Sequence, residues 1–154
     1  MFKVVLILTL ALPLLAVSQT AEKIDEFGDN DHLGCEDYLA RVYNLMTVAR
    51  GNPTDTIYVI LYDGRVERPL GSEWRSSWSQ QGLVAARTKS MIEYFDRRHF
   101  DASHFRFVDG GIREHAKVEF WSVPPGAPEP KPSPTLRTLH HRKGGPRGFC
   151  IAEP

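Results

Sequence analysis

The residues best equipped for chemistry are two cysteines, a scatter of histidines and two tryptophans. Cys35 and Cys150 are the only cysteines. An isolated pair in an exported chain reads most simply as a disulfide, and a redox-active pair would need the Cys-x-x-Cys spacing that is missing here. Such a bridge would close a loop of more than a hundred residues, for which chain entropy gives about 4–5 kcal/mol. His99, His104, His115, His140 and His141 follow no recognised metal-ligand spacing. The sequence contains no Gly-x-Ser-x-Gly elbow and no glycine-rich phosphate loop closing on Lys. The inventory therefore points away from an enzyme, a metal or a cofactor. Trp74 and Trp78 lie four apart in an Arg- and Ser-rich stretch. They suit a glycan or protein contact, or they fold back to cover the sheet, which is the commoner fate of Trp.

These residues are carried on a chain of 154 residues with 19 basic and 19 acidic side chains. That balance lacks the basic footprint of a nucleic-acid binder. Lys3 precedes an apolar run from Val4 to Val17, and Ala16-Val17-Ser18 supplies small residues for cleavage before Gln19. Charge, apolar core and small-residue exit make residues 1–18 a secretory signal. As a membrane anchor the run is short of the roughly 20 apolar residues needed to span, and Pro13 interrupts it. No cysteine follows it for lipid attachment. About 135 residues remain, one domain's worth, with no later segment long and apolar enough to cross a membrane. The expected location is periplasmic or secreted.

The elements that must position these residues follow from periodicity. Ile24 to Phe27 reads as a weak strand. Cys35 to Arg50 reads as a helix with Leu39, Val42, Leu45, Met46 and Ala49 on one face, stopped by Gly51-Asn52-Pro53. Thr56 to Tyr62 is an almost continuous β-branched and aromatic run, the mark of a central strand buried on both faces. Arg65 to Ser79 reads as a polar loop. Gln80 to Arg98 reads as a second helix, with Val84, Thr88, Met91, Ile92 and Phe95 aligned. Phe105 to Val108 and Lys117 to Trp121 alternate as half-buried strands, with Gly110-Gly111 and Arg113-Glu114 between them. Six prolines from Pro124 to Pro134 make an extended, semi-rigid stretch. The expected organisation is a signal at 1–18, an α+β domain at 19–123 and a proline-rich, basic tail at 124–154, tethered by the disulfide. The expected fold is a small mixed sheet with two helices packed on it, in the order β-α-β-α-β-β.

Three stretches carry a family resemblance. The helix Gln81-Gly82-Leu83-Val84-Ala85-Ala86-Arg87-Thr88-Lys89-Ser90-Met91-Ile92-Glu93-Tyr94-Phe95, the strand entry Phe100-Asp101-Ala102-Ser103-His104-Phe105 and the closing Lys117-Val118-Glu119-Phe120 resemble the OmpA-like domain of bacterial envelope proteins. With the first helix and the strand ending Leu61-Tyr62-Asp63-Gly64, the resemblance covers roughly Ile24 to Val123. It implies a non-catalytic envelope module that grips the diaminopimelate part of the peptidoglycan stem peptide. The ligand-binding positions it implies are Asp63, at the strand end, and Arg87, on the second helix. A guanidinium and a carboxylate would suit a zwitterionic amino-acid head. Read without the family, Asp63 is a turn residue and Arg87 a solvated helix charge. Tyr62 stands where the family has Thr, Gln80 where it has Asn, and His115-Ala116-Lys117 where it has Asn-Arg-Arg. The alternative is thus a structural or protein-interaction domain on the same fold, with the ligand site lost and another envelope protein as partner.

Overall fold

A computed structural model describes residues 19–146, 148 and 149. The expected signal at 1–18 lies outside the described residues, and so does Cys150. The fold is α+β: a five-stranded mixed sheet with two helices. In chain order the elements are β1 (Glu22–Gly28), a single 3-10 turn (Asp29–Asp31), α1 (Cys35–Gly51), β2 (Thr56–Leu70), β3 (Glu73–Trp78), α2 (Leu83–Arg97), β4 (Phe105–His115) and β5 (Lys117–Val123). The sheet is built around β2. Its first half pairs antiparallel with β5 and parallel with β4, while its second half pairs antiparallel with β3. β1 adds to the far side of β5, also antiparallel.

The expected loop at Arg65–Ser79 is instead the second half of β2 and all of β3. Gly71 makes the turn between them with φ +63, the positive φ that a two-residue hairpin loop demands. The hairpin pairs Arg65 with Trp78 and Leu70 with Glu73. Its polar residues remain compatible with a strand because β3 is largely exposed and only its backbone must be satisfied. Gly110, Gly111, Arg113 and Glu114, expected between strands, belong to β4. The strand passes over a register irregularity against β2 between Leu61 and Arg65, and such bulges absorb glycines that break the alternation. Gly110 is required here, because a Cβ would meet the Tyr62 ring at 2.6 Å and Ile60 Cγ2 at 2.9 Å.

β2 is buried on both faces. Ile57, Val59 and Leu61 join one core with Val42, Leu45 and Met46 of α1 and Met91 and Phe95 of α2. On α2 the buried face is Leu83, Arg87, Ser90, Met91, Tyr94 and Phe95, rotated from the expected one, and Ile92 is exposed. Hydropathy misplaced the face because Arg and Tyr bury apolar stems and rings while counting as polar.

The opposite face of β2 presents Tyr58, Ile60 and Tyr62, which are also buried. The proline-rich stretch from Pro124 crosses this side as a strap. Ser133 N donates to Tyr62 Oη (3.2 Å), and Arg113 Nε donates to the Ser133 carbonyl (3.1 Å). Burial, and after it the Glu129 carboxylate, push the Tyr58 hydroxyl above its ordinary range. Thr135 N and Leu136 N both donate to Ile112 O, at 2.9 and 3.0 Å, and Arg142 N donates to Ser79 O at 2.9 Å. Proline suits such a strap because it brings no N–H donor that would need a partner over an apolar surface.

A chain ending at Val123 should lose cooperative unfolding and bind ANS, because Tyr58, Ile60 and Tyr62 would face water. Tyr62→Phe in the full chain should cost about 1–3 kcal/mol by leaving Ser133 N–H unpaired. Urea titrations of both check this, and an unchanged midpoint in the truncated chain would make the strap a passive adherent.

Candidate functional site

Arg87 and Asp63 are held by different elements and engaged separately. Asp63 follows the buried run of β2. Its Oδ1 accepts from Gly64 N (2.7 Å) and from the Ser79 hydroxyl. His141 Nδ1, from the strap, stands 3.9 Å from Oδ2. Ser79 is fully buried, and its Oγ is 3.5 Å from His141 Nδ1. A nucleophilic serine gives its proton to an imidazole; here the hydroxyl donates to Asp63. The three residues make a lock between β2, the end of β3 and the strap.

Arg87 lies on the buried face of α2. Its Nη2 donates to Asp29 Oδ1 at 2.5 Å, and its guanidinium lies over the Phe149 ring at 4.4 Å. Tyr38 of α1 stacks on the same Phe149, with centroids 4.2 Å apart. These groups line a cleft of about 480 Å³, within the usual range for ligand sites. Its walls come from the end of β1, the start of α1, the β2–β3 hairpin and the start of α2. Asp63 is not among its lining residues. Of the two positions that the family resemblance implied, the cleft therefore contains Arg87 alone.

Trp74 stands at the cleft mouth, 41 % exposed, rather than folded back over the sheet. It stacks on His32, with centroids 4.4 Å apart and planes 7° apart. His32 adopts φ 53 and ψ 37, a left-handed conformation that costs a non-glycine residue energy. Its Nε2 is 2.5 Å from Glu67 Oε2, another lining residue. Trp78 is half-buried with the Arg65 guanidinium over its ring at 4.3 Å. Among the described residues no group of three or more His, Cys, Asp or Glu is placed to hold a metal. Cys35, at the start of α1 and on the cleft wall, is disulfide-bonded.

Two cleft residues escaped the sequence reading. Tyr38 fits the helical spacing of Val42, Leu45 and Met46, and that periodicity could have placed it on the buried face. Asp29 had no such signal, since only the turn after β1 brings it to α2. Burial pushes the Asp29 carboxyl above its ordinary value of 3.8, while the Arg87 charge and hydrogen bond pull it back. Glu26 runs the other way. Hydrogen bonds from Lys117 and Lys23 lower it to about 2, so its stabilisation is present above the ordinary carboxylate range and is lost as pH falls through about 2.

No family model, curated protein or solved structure matches the chain.

A raised pKa in the folded state means that the native protein takes up the proton first. Asp29 should therefore add stability as pH falls through its raised value, with no further gain below its unfolded pKa. The stability difference between wild type and Asp29→Asn should shift in favour of wild type over that window, measured as urea midpoints against pH. Parallel profiles would refute the assignment. Separately, Asp63→Ala should cost about 1–3 kcal/mol by leaving the buried Ser79 hydroxyl without its acceptor.

Proposed function

We propose that this chain is an exported, non-catalytic interaction domain of a cell envelope, one that resembles the OmpA-like arrangement without using that family's ligand pair. The observation that carries this reading is the separation of Asp63 from Arg87. Each is already engaged inside the molecule, Asp63 with Gly64 and Ser79 and Arg87, through Nη2, with Asp29, and Asp63 does not line the cleft that Arg87 lines. A carboxylate that accepts from a buried hydroxyl and a backbone amide has work in the fold and would have to abandon it to bind a ligand. The added strand β3 and the strap then supply surface for another envelope protein. The disulfide at Cys35 supports an oxidising compartment such as the periplasm or the exterior. Among the described residues no helix is long and apolar enough to cross a membrane.

Binding of the peptidoglycan stem peptide is the second reading. One observation favours it: Arg87 does border an open cleft, with an acidic partner, Asp29, beside it. Sedimentation with purified sacculi separates the two. The interaction reading expects no retention above that of an unrelated protein of similar charge. Retention of wild type that is abolished by Arg87→Ala or Asp63→Ala, in variants shown to be folded by circular dichroism, would overturn it in favour of wall binding.

A further inference from the structure

We propose that the cleft beside α1 and α2 is a binding site for an aromatic acyl group, meaning an aromatic ring that carries a carbonyl or carboxylate oxygen within a residue's reach. The inference goes beyond the interaction reading and does not depend on Asp63. It begins with two polar atoms. Among the described residues, Tyr38 Oη and Arg87 Nε are buried without a hydrogen-bond partner, and both residues line the cleft. Both residues are more than nine-tenths buried, at 6 % and 8 % residual exposure. Buried polar groups are almost always paired, so an orphan of this kind calls for an explanation. Arg87 Nε is purely a donor and the Tyr hydroxyl is a donor able to accept as well. The guanidinium's charge is already matched by Asp29. What these two atoms lack is an acceptor oxygen.

The surroundings specify what should carry that oxygen. Phe27 and Phe149 form an aromatic wall with Tyr38, and Trp74 offers ring surface at the mouth. The chain's own Phe149 shows the chemistry the wall accepts: its ring stacks on Tyr38 and takes the Arg87 guanidinium on its face. Aromatic pairs gain stability beyond their buried area, and a cation over a ring adds to it. A second ring entering from the Trp74 side would extend this stack and set its acyl oxygen toward Tyr38 Oη and Arg87 Nε. The oxygen could belong to a chain-internal amide or to a free carboxyl terminus.

Titration of the full-length protein with N-acetylphenylalaninamide and N-acetylphenylalanine, followed by NMR shifts or calorimetry, tests the site and its source. Both probes are expected to bind saturably, and N-acetylalaninamide, which lacks the ring, is not. Tighter binding of the amide assigns a chain-internal carbonyl, and tighter binding of the acid assigns a carboxyl terminus. Tyr38→Phe should weaken binding about tenfold, which is ~1.4 kcal/mol, while melting at or above the wild-type temperature, because it removes a buried hydroxyl that has no partner. A purely structural tyrosine would not pair lost binding with kept stability. Arg87→Lys, which keeps the cation for Asp29 and removes the Nε donor, should weaken binding in the same way. The proposal fails if wild type binds neither aromatic probe, if the ringless probe binds as well, or if both variants bind like wild type.

Discussion

The structure depends on one constraint: β2 must be dry on both faces. Its first seven residues are nearly all apolar, and Ile57, Val59 and Ile60 are fully buried. Burying each such side chain contributes about 1.5–3 kcal/mol, but a strand alternates its side chains between two surfaces. The helices α1 and α2 reach only the surface of Ile57, Val59 and Leu61. Two helices and a sheet would leave Tyr58, Ile60 and Tyr62 in water. The proline-rich strap is the third layer that this strand requires, and its path follows from what the second face offers for it to bind.

That second face is held by a charge that would otherwise be a liability. Glu119 is 4 % exposed, and an unpaired buried carboxylate is costly. It is instead surrounded by donors: Arg113 Nη2 at 3.0 Å, Lys23 Nζ at 3.5 Å, and Tyr62 Oη and Trp121 Nε1 at 3.3 Å each. The same Arg113 lies over the Tyr62 ring at 3.7 Å and bonds both the carbonyl and the hydroxyl of Ser133. Tyr62 in turn accepts from Ser133 N. One network thus ties β1, β2, β4, β5 and the strap. Burying an ion pair is a weak source of net stability, so the network's contribution is one of register. Hydrogen bonds with fixed directions let the strap sit in one place, where apolar contact alone would allow it to slide.

The two-faced burial of β2 was legible because a continuous β-branched and aromatic run has few other uses. Both helices were legible from their periodicity, and the α+β class from the alternation of elements. Three features were not. The β2–β3 hairpin was hidden because an exposed ladder needs backbone pairing rather than apolar side chains, so in Glu73 to Trp78 only Trp74 and Trp78 were apolar, too few to mark a strand. The buried face of α2 was read off by about one residue because Arg87 packs its stem and pairs with Asp29, a contact closed only by tertiary structure. The pair Asp63 and Arg87 came from a likeness of helix and strand, and likeness of frame does not fix where a side chain turns. Asp63 lies on the continuation of β2 toward Ser79 and the strap, and Arg87 faces α1 and the 3-10 turn.

The contrast between the two ends of the sheet bears directly on function. Where the strap crosses, every charged or polar group at the centre has partners: Glu119 has four, and Tyr62 donates and accepts. In the cleft, Tyr38 Oη and Arg87 Nε have none among the described residues, Asp29 is driven toward its neutral form by burial, and His32 holds a left-handed backbone. Each of these features works against stability, and a chain that satisfies Glu119 so fully has the means to avoid them. Replacing Tyr38 with Phe would remove the first without disturbing the packing of its ring on Phe27 and Phe149. Conflicts of this kind collect where binding sets the requirements and folding concedes them. Two of the three buried side-chain atoms that lack a hydrogen-bond partner among the described residues lie at one 480 Å³ opening, the third being His115 Nδ1 on β4, and this pairing of orphans marks the opening as a part of the molecule left for something else.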